Sequence, residues 1–343
     1  MMVDTVASDD LPLESEAELV ERAAPMERLV TVFGGSGFVG RHVVRALVRR
    51  GWRVRVAVRR PDLAGHLQPL GAVGQINPVQ ANLRYPASVL RAAEGSQVII
   101  NLVGVLHESG RNGFDAVHGF GAKQVALAAK QVGARLIHGS AIGAAADSES
   151  LYARSKAAGE AAVLDAVPDA VIFRPSVVFG PEDGFFNRFA AMSRLSPFLP
   201  LIGGGATKFQ PVFVGDVATA VALAVDGHAK AGTIYELGGP EVRSFKELME
   251  LMLAEIGRKR LLVPMPFAIA SLQARLLELL PNPLLTRDQV KLLAYDNVVS
   301  AAAIAEGRTL EGLGIHPTAI GAVLPDYMWR YRKAGQFTKP VDA

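Results

Sequence analysis

The stretch "VFGGSGFVG" at residues 32–40 decides which fold this chain is expected to adopt. It follows an apolar run rich in β-branched residues, "RLVTVF" at 28–33, and leads into the helical pattern of 38–50. Glycines at this spacing let the chain turn tightly and approach a pyrophosphate, which the free N–H groups of the helix then bind. A purely structural glycine turn is the alternative. The residues expected to hold a dinucleotide are Gly34, Gly35, Ser36, Gly37, Phe38, Val39 and Gly40.

Strands and helices alternate along the first half of the chain. The segment "WRVRVAV" at 52–58 alternates apolar and polar residues, which predicts a second strand. Further strands are expected at 97–104, 134–140 and 170–174, and helices at 114–133 and 151–167. This order favours an α/β fold with a doubly wound parallel sheet of the Rossmann type. We expect a dinucleotide-binding domain at 28–180 and a smaller C-terminal substrate lobe at 181–343, with some segments returning to the sheet.

The composition excludes several classes of protein. Of the 343 residues, 50% are hydrophobic and 20% are charged, which suits a globular chain with a substantial core. The absence of cysteine excludes disulfides and thiolate metal sites and fits a reducing, cytoplasmic setting. The seven histidines have no ligand spacing, so no metal is expected. No apolar run reaches the roughly 18 residues of a transmembrane helix, so no transmembrane span is expected.

Charge is unevenly distributed. Residues 1–27 contain eight acidic residues and one basic residue, and they are predicted to be a disordered acidic tail. The remainder of the chain is therefore basic, although its lysines and arginines form no long cluster with aromatic residues. A nucleic-acid partner is not expected on this basis. An anionic cofactor or an acidic surface accounts for the excess better.

Two arginines after the second strand bear on the identity of the dinucleotide. Arg59 stands 19 residues after Gly40, where an acidic residue would bind the ribose 2′-hydroxyl of NAD, and Arg60 follows it. A guanidinium pairs with the 2′-phosphate of NADP, whereas a carboxylate repels it. The pattern favours NADP(H) and leaves NAD(H) as the alternative, since the two arginines could also belong to a solvated basic loop.

Tyr152 and Lys156 lie four residues apart, which places both on one face of the helix expected at 151–167. Deprotonating a phenol at pH 7 costs about 4 kcal/mol, and a nearby ammonium lowers that cost. Ser140, at the end of the preceding strand, could meet the same substrate oxygen. The pattern predicts a catalytic trio, with a chance spacing of surface residues as the alternative.

The segment "PMPFAIASLQARLLELLPNPLL" at 264–285 is unusually apolar. Its periodicity favours core helices interrupted by Pro281 and Pro283. A helix that binds a partner or a membrane surface is the second interpretation.

Several motifs together resemble an extended or atypical short-chain dehydrogenase/reductase of the NAD-dependent epimerase/dehydratase kind. These are the glycine turn, "INLVG" at 100–104, Ser140, the Tyr152–Lys156 pair and "RPSVVFGPED" at 174–183. More narrowly, from about residue 28 to about residue 330, the chain resembles the NADPH-binding accessory subunit of mitochondrial respiratory complex I and its alphaproteobacterial relatives.

The resemblance implies roles for individual residues. Asn82 and Leu83 would contact the adenine, and the nicotinamide side would be lined by Leu102, Val103, Gly104, Pro175 and Ser176. Ser140 would orient a substrate oxygen, Tyr152 would exchange its proton, and Lys156 would bind the ribose hydroxyls.

The chain also departs from the family pattern. His118 stands near the position where many relatives have an asparagine of a proton relay, and Phe33 stands where sugar-modifying members usually have threonine.

Two hypotheses remain. One is a protein that holds NADPH with little or no turnover and serves respiratory complex I or ubiquinone biosynthesis, either in the cytoplasm or peripherally on the inner face of the cytoplasmic membrane. The other is an active oxidoreductase, epimerase or dehydratase acting on a small carbonyl, sugar or quinone-related substrate.

Overall fold

Thirteen strands and eleven α-helices form the structure, a computed structural model that describes residues 28–280, 283–333 and 335. The predicted disordered tail at 1–27 lies outside these residues. The strands are β1 Leu29–Phe33, β2 Arg53–Val58, β3 Ile76–Gln80, β4 Val98–Asn101, β5 Arg135–Gly139, β6 Val171–Pro175, β7 Val178–Phe179, β8 Phe198–Ile202, β9 Lys208–Phe209, β10 Val212–Phe213, β11 Ile234–Leu237, β12 Arg243–Ser244 and β13 Leu261–Met265. The helices are α1 Phe38–Arg49, α2 Pro86–Ala93, α3 Ala122–Val132, α4 Leu151–Ala166, α5 Phe186–Leu195, α6 Val214–Val225, α7 Phe245–Glu255, α8 Phe267–Leu277, α9 Arg287–Leu292, α10 Ala301–Ala305 and α11 Ile320–Met328.

Seven parallel strands make the central sheet, in the order β3-β2-β1-β4-β5-β6-β11. Val32 in β1 is level with Val56 on one side and Ile100 on the other. The strand order reverses at β1, so a crevice opens at the carboxyl ends of β1 and β4. The predicted α/β fold with a doubly wound parallel sheet is confirmed.

Helices cover both faces of this sheet. Successive residues of β1 point to opposite faces, so Val32 packs with α1 and α6 while Phe33 packs with α2, α3 and α4. Strand β11 comes from the second half of the chain and pairs with β6. The sheet that carries the crevice is therefore completed by residues far beyond position 180.

Two elements differ from their predicted bounds. The strand expected at 97–104 ends at Asn101, because the chain turns there and the Val103 N–H bonds back to the Asn101 side chain. The helix expected over 114–133 begins as a π-helix at Asp115–Gly121 and becomes α-helical only in α3. A π-helix is rare and is frequent at functional sites.

The smaller lobe contains the remaining strands as two-stranded ribbons, with α5, α7 and α11 around a separate core. Helix α7 begins with a capping box, in which Ser244 and Glu247 bond to each other's backbone N–H. Within the described part of the chain, no helix has the length and apolar character needed to cross a bilayer.

The apolar segment at 264–285 is not a pair of core helices. Within α8 only Ala270 and Ala274 are buried, while Leu272 and Leu276 are each 64% exposed. The core interpretation is wrong for the outer side of α8, because the lobe packs against the opposite side of the helix, which contains Ala270 and Ala274.

Candidate functional site

Backbone atoms pack so closely around the glycine turn that a side chain at Gly34 or Gly40 would collide with them. Gly34 has a φ of 80°, and a Cβ there would lie 3.1 Å from the backbone N of Val103. A Cβ on Gly40 would overlap the carbonyl oxygen of Gly34. These two glycines therefore allow helix α1 to pack directly against the turn and the turn to pack against the segment after β4.

Helix α1 starts at this turn with its N-terminus open. Gly37 is the N-cap residue, so no side chain caps the helix, and its first turn contains no acidic residue. Val39 packs against the sheet, and the Phe38 ring contacts His42 edge to face. The unpaired N–H groups of the first turn and the helix dipole together favour an anion at this point.

A cleft of ≈ 260 Å³ opens beside the turn. Its lining includes predicted cofactor-binding residues from four places in the sequence: Gly34, Ser36, Gly37, Arg59, Asn82, Leu83, Leu102, Val103 and Gly104. The crevice at the reversal of strand order thus brings together segments that are distant in sequence. Arg84 and Asn112 also line it, and the sequence reasoning missed both.

The two arginines after β2 have different surroundings. Arg59 lines the cleft, with its Nη1 donating to Oδ1 of Asn112 at 3.3 Å. The guanidinium of Arg60 instead binds both carboxylate oxygens of Asp62, with Nε donating at 3.0 Å and Nη2 at 2.7 Å. Arg84 lies near Asn82, whose Oδ1 accepts from the Arg84 N–H at 3.2 Å. The cationic groups that line the cleft are therefore Arg59 and Arg84.

Lys156 contacts the end of β5 at Gly139, the residue before Ser140. The Lys156 Nζ donates to the carbonyl oxygen of Gly139 at 3.2 Å. The Ser140 Oγ is buried and has no hydrogen-bond partner among the residues that the structure describes. A buried hydroxyl without a partner is costly, so it marks a position where a ligand oxygen would be stabilised.

Burial changes the acidity of the two side chains on α4. It lowers the pKa of Lys156 to about 8 and raises the pKa of the Tyr152 phenol to about 12. At neutral pH Tyr152 is therefore protonated, and Lys156 remains mostly charged. Lys156 lies at the edge of the cleft, since a Cβ on Gly104 would lie 3.4 Å from its Nζ.

His118 forms part of a hydrogen-bonded chain beneath Tyr152. Its Nε2 accepts from the Val105 N–H at 3.0 Å, so Nδ1 carries the proton and donates to Oγ of Ser155 at 2.9 Å. Oγ of Ser155 then donates to the carbonyl oxygen of Tyr152 at 2.7 Å. Burial, with Lys156 nearby, lowers the pKa of His118 to about 3, so the ring stays neutral. His118 fixes the cleft segment at 103–105 against α4.

Helix α4 also depends on a residue from the smaller lobe. The Asp288 carboxylate accepts from the Ser150 Oγ at 2.7 Å and from the N–H groups of Leu151 and Tyr152 at 2.7 and 3.0 Å. An acidic group at a helix N-terminus satisfies free N–H groups and complements the dipole. Asp288 was not predicted, and no local pattern marks it.

Pro175 and Ser176 lie where β6 ends, outside the residues that line the cleft. The carbonyl oxygen of Pro175 accepts from the Ile142 N–H at 3.0 Å. The Ser176 Oγ donates to the side chain of Asn297, with 2.6 Å between Oγ and Oδ1. The hydroxyl of Ser176 is thus engaged within the protein.

The sheet, the glycine turn and the Tyr–Lys helix define an epimerase/dehydratase-like member of the short-chain dehydrogenase/reductases. Residues 30–238 match the model of the NAD dependent epimerase/dehydratase family, and the chain belongs to that family. The resemblance seen in the sequence motifs is confirmed.

Individual relatives narrow the comparison. The chain is 37% identical over 320 residues to NADH dehydrogenase (ubiquinone) 1 alpha subcomplex subunit 9, mitochondrial, of Arabidopsis thaliana, covering 90% of this chain and 79% of that protein. It is 38% identical over 190 residues to the ceramide reductase of Caulobacter vibrioides, covering 55% of this chain and 58% of that protein. Among solved structures, DesIV, a dTDP-glucose 4,6-dehydratase from Streptomyces venezuelae with NAD and TYD bound, shares the fold. Its TM-score is 0.66 at 20% identity, over 89% of this chain and 96% of that chain.

Proposed function

We propose that the cleft binds NADP(H) and that the chain serves as a cofactor-holding protein linked to respiratory complex I. The observation that carries the cofactor preference is the charge of the cleft. Arg59 and Arg84 line it, and none of its described lining residues is acidic. Such a lining attracts a 2′-phosphate and provides no carboxylate for the free 2′-hydroxyl of NAD.

The residues present fit a dinucleotide. A Cβ on Gly34 or Gly40 would crowd the turn, and the N-terminus of α1 is uncapped by any side chain. Asn82, Leu83 and Leu102 to Gly104 line the cleft, and the family resemblance assigns the first two to the adenine and the others to the nicotinamide side. A nicotinamide cofactor bound here supplies a hydride, or accepts one.

Two observations support a link to complex I with little turnover. The likeness to subunits of that complex extends over about nine-tenths of the chain. His118 stands near the position at which many relatives have a relay asparagine, and both of its ring nitrogens are occupied, by Val105 and Ser155. In this arrangement the ring cannot pass protons between the site and solvent.

A second function, reduction of a carbonyl compound, is favoured by the unpartnered Oγ of Ser140. In that reaction Ser140 would donate a hydrogen bond to the carbonyl oxygen, and Tyr152 would transfer its phenolic proton to that oxygen while the carbon accepts the hydride that a bound nicotinamide cofactor would supply. The ammonium of Lys156 stabilises the resulting phenolate until solvent returns the proton. The ceramide reductase among the relatives supports this alternative.

The two functions are separated by measuring turnover. The purified chain is loaded with NADPH and supplied with ubiquinone analogues, aldehydes, ketones and a lipid extract, while NADPH absorbance is followed. A cofactor-holding protein retains NADPH under every condition. A reductase oxidises it with one compound, and Tyr152→Phe slows that reaction about 10²–10⁴-fold.

The same variant distinguishes the roles in cells. For the cofactor-holding function, Tyr152→Phe leaves complex I activity intact, whereas Gly37→Val, which obstructs the pyrophosphate turn, lowers it. If neither variant lowered complex I activity, the proposed link would be contradicted.

A further inference from the structure

The smaller lobe has an exposed apolar surface that begins on the β8–β13 ribbon. Leu261 in β13 is level with Phe198 in β8, and their side chains are 72% and 52% exposed. Between the exposed side chains of Leu261 and Val263, Leu262 packs into the lobe core. This alternation shows that the ribbon contributes one face to the core and leaves the other uncovered.

Helix α8 packs against the end of this ribbon and exposes further apolar side chains. Ala270 and Ala274 pack with Ile202 and Met265 at the end of the ribbon. Residues two apart on a helix point about 200° apart, so Leu272 and Leu276 face away from that contact. We call Phe198, Leu261, Val263, Ile269, Leu272 and Leu276 the lobe apolar surface.

Basic residues border this surface. Residues 256–277 contain Arg258, Lys259, Arg260 and Arg275 and no acidic residue. Burial lowers the pKa of Arg258, and the nearby charges of Arg260 and Arg194 lower it further. Arg194 therefore lies near this group of basic residues. The Arg260 Nε donates to the carbonyl oxygen of Ser193 at 2.7 Å, which places this cation beside α5 and β8. Basic residues therefore lie close in sequence to the exposed apolar residues of β13 and α8, and Arg260 lies beside β8.

We propose that the lobe apolar surface binds an anionic lipid bilayer. Leucine and isoleucine side chains enter the boundary between headgroups and acyl chains, and nearby lysines and arginines pair with anionic headgroups. A second copy of this chain is a poor match, because a symmetric contact would place these like charges against one another. The surface includes no residue of the cofactor cleft, so this inference does not rest on NADP(H) binding.

The test is flotation of the full chain with vesicles. The wild type is expected to float with vesicles of phosphatidylcholine and phosphatidylglycerol, to bind weakly to phosphatidylcholine alone, and to be released by salt. Lys259→Glu combined with Leu272→Glu is expected to weaken binding by about tenfold or more, because one basic residue near the surface contributes about fivefold.

A matched control carries the same change of charge on helix α3. Lys123→Glu combined with Leu127→Glu alters two exposed residues of α3 and should leave flotation unchanged. Equal binding by the two double variants would overturn the proposal. Failure of the wild type to bind anionic vesicles would also overturn it. In that case, an oligomer that is disrupted only by the Lys259→Glu, Leu272→Glu variant would show that the surface binds a second copy of the chain. The salt dependence of the wild type tests the proposal even if a variant fails to fold.

Discussion

At the scale of single residues, the partners of each side chain decide whether it is available to a ligand. Arg59 and Arg60 are adjacent and chemically identical, but Asp62 binds the guanidinium of Arg60 while Arg59 lines the cleft. Ser140 and Ser176 differ in the same way. The hydroxyl of Ser176 is bound to Asn297, whereas that of Ser140 has no partner within the described chain. Residue type alone does not separate the members of either pair.

Arg59→Ala should weaken NADPH binding by about 1.5–3 kcal/mol and NADH binding far less, because the variant loses a charged hydrogen bond to the 2′-phosphate. Isothermal titration calorimetry with both cofactors measures this difference. Arg60→Ala is the matched control and should change neither affinity. Equal losses for the two cofactors in Arg59→Ala would remove the 2′-phosphate assignment, and a selective loss in Arg60→Ala would transfer it to that residue.

At the scale of elements, helix α4 is positioned by groups outside it. Asp288 binds its N-terminus, and the π-helix at Asp115–Gly121 packs along its side. A Cβ on Gly159 would overlap the carbonyl oxygen of His118, so this glycine allows the two helices to approach closely. The position of Tyr152 thus depends on contacts with the π-helix and with the smaller lobe.

Asp288→Asn should lower the free energy of unfolding by about 1–3 kcal/mol, because the amide lacks the charge and one of the two acceptor oxygens that serve α4. Urea denaturation followed by circular dichroism measures the loss. Asp62→Asn, which changes an exposed carboxylate paired with Arg60, is the control and should leave stability unchanged. If both variants were equally stable, the contact between Asp288 and α4 would be energetically unimportant.

At the scale of the whole molecule, the two halves of the chain share one core. The core cluster that contains Val30 and Val32 of β1 also contains Val217 and Val221 of α6 and Leu310 near the end of the chain. Strand β11 completes the sheet beside β6. Residues 28–180 thus contain the glycine turn and the Tyr–Lys helix without α6, which covers one face of their sheet together with α1.

A fragment of residues 28–180 should therefore fail to fold cooperatively. It would expose the apolar face that α6 buries and leave β6 as an open edge prone to aggregation. Thermal unfolding by circular dichroism tests this, with residues 28–335 as a control that should unfold in a single transition. A soluble short fragment that binds NADPH would show that the first half is an autonomous domain.

The sequence alone determined the features that have a local physical cause. The alternation of strands and helices follows from side-chain periods of two and about 3.6 residues, and each can be read within one segment. The glycine turn could be predicted because its backbone conformation and close packing exclude other residues. The capping box of Ser244 and Glu247 also has a local cause, because its two residues stand only three positions apart at the start of α7.

Tertiary structure decided which groups meet. Asp288 lies 136 positions from Tyr152, and Asn297 lies 121 positions from Ser176, so no periodicity connects them. The exposed leucines of α8 were misread for a related reason: apolar content indicates what could be buried, but only the surrounding elements decide which side is covered. Long-range packing selects among locally equivalent residues, because burial and hydrogen-bond partners are properties of the assembled chain.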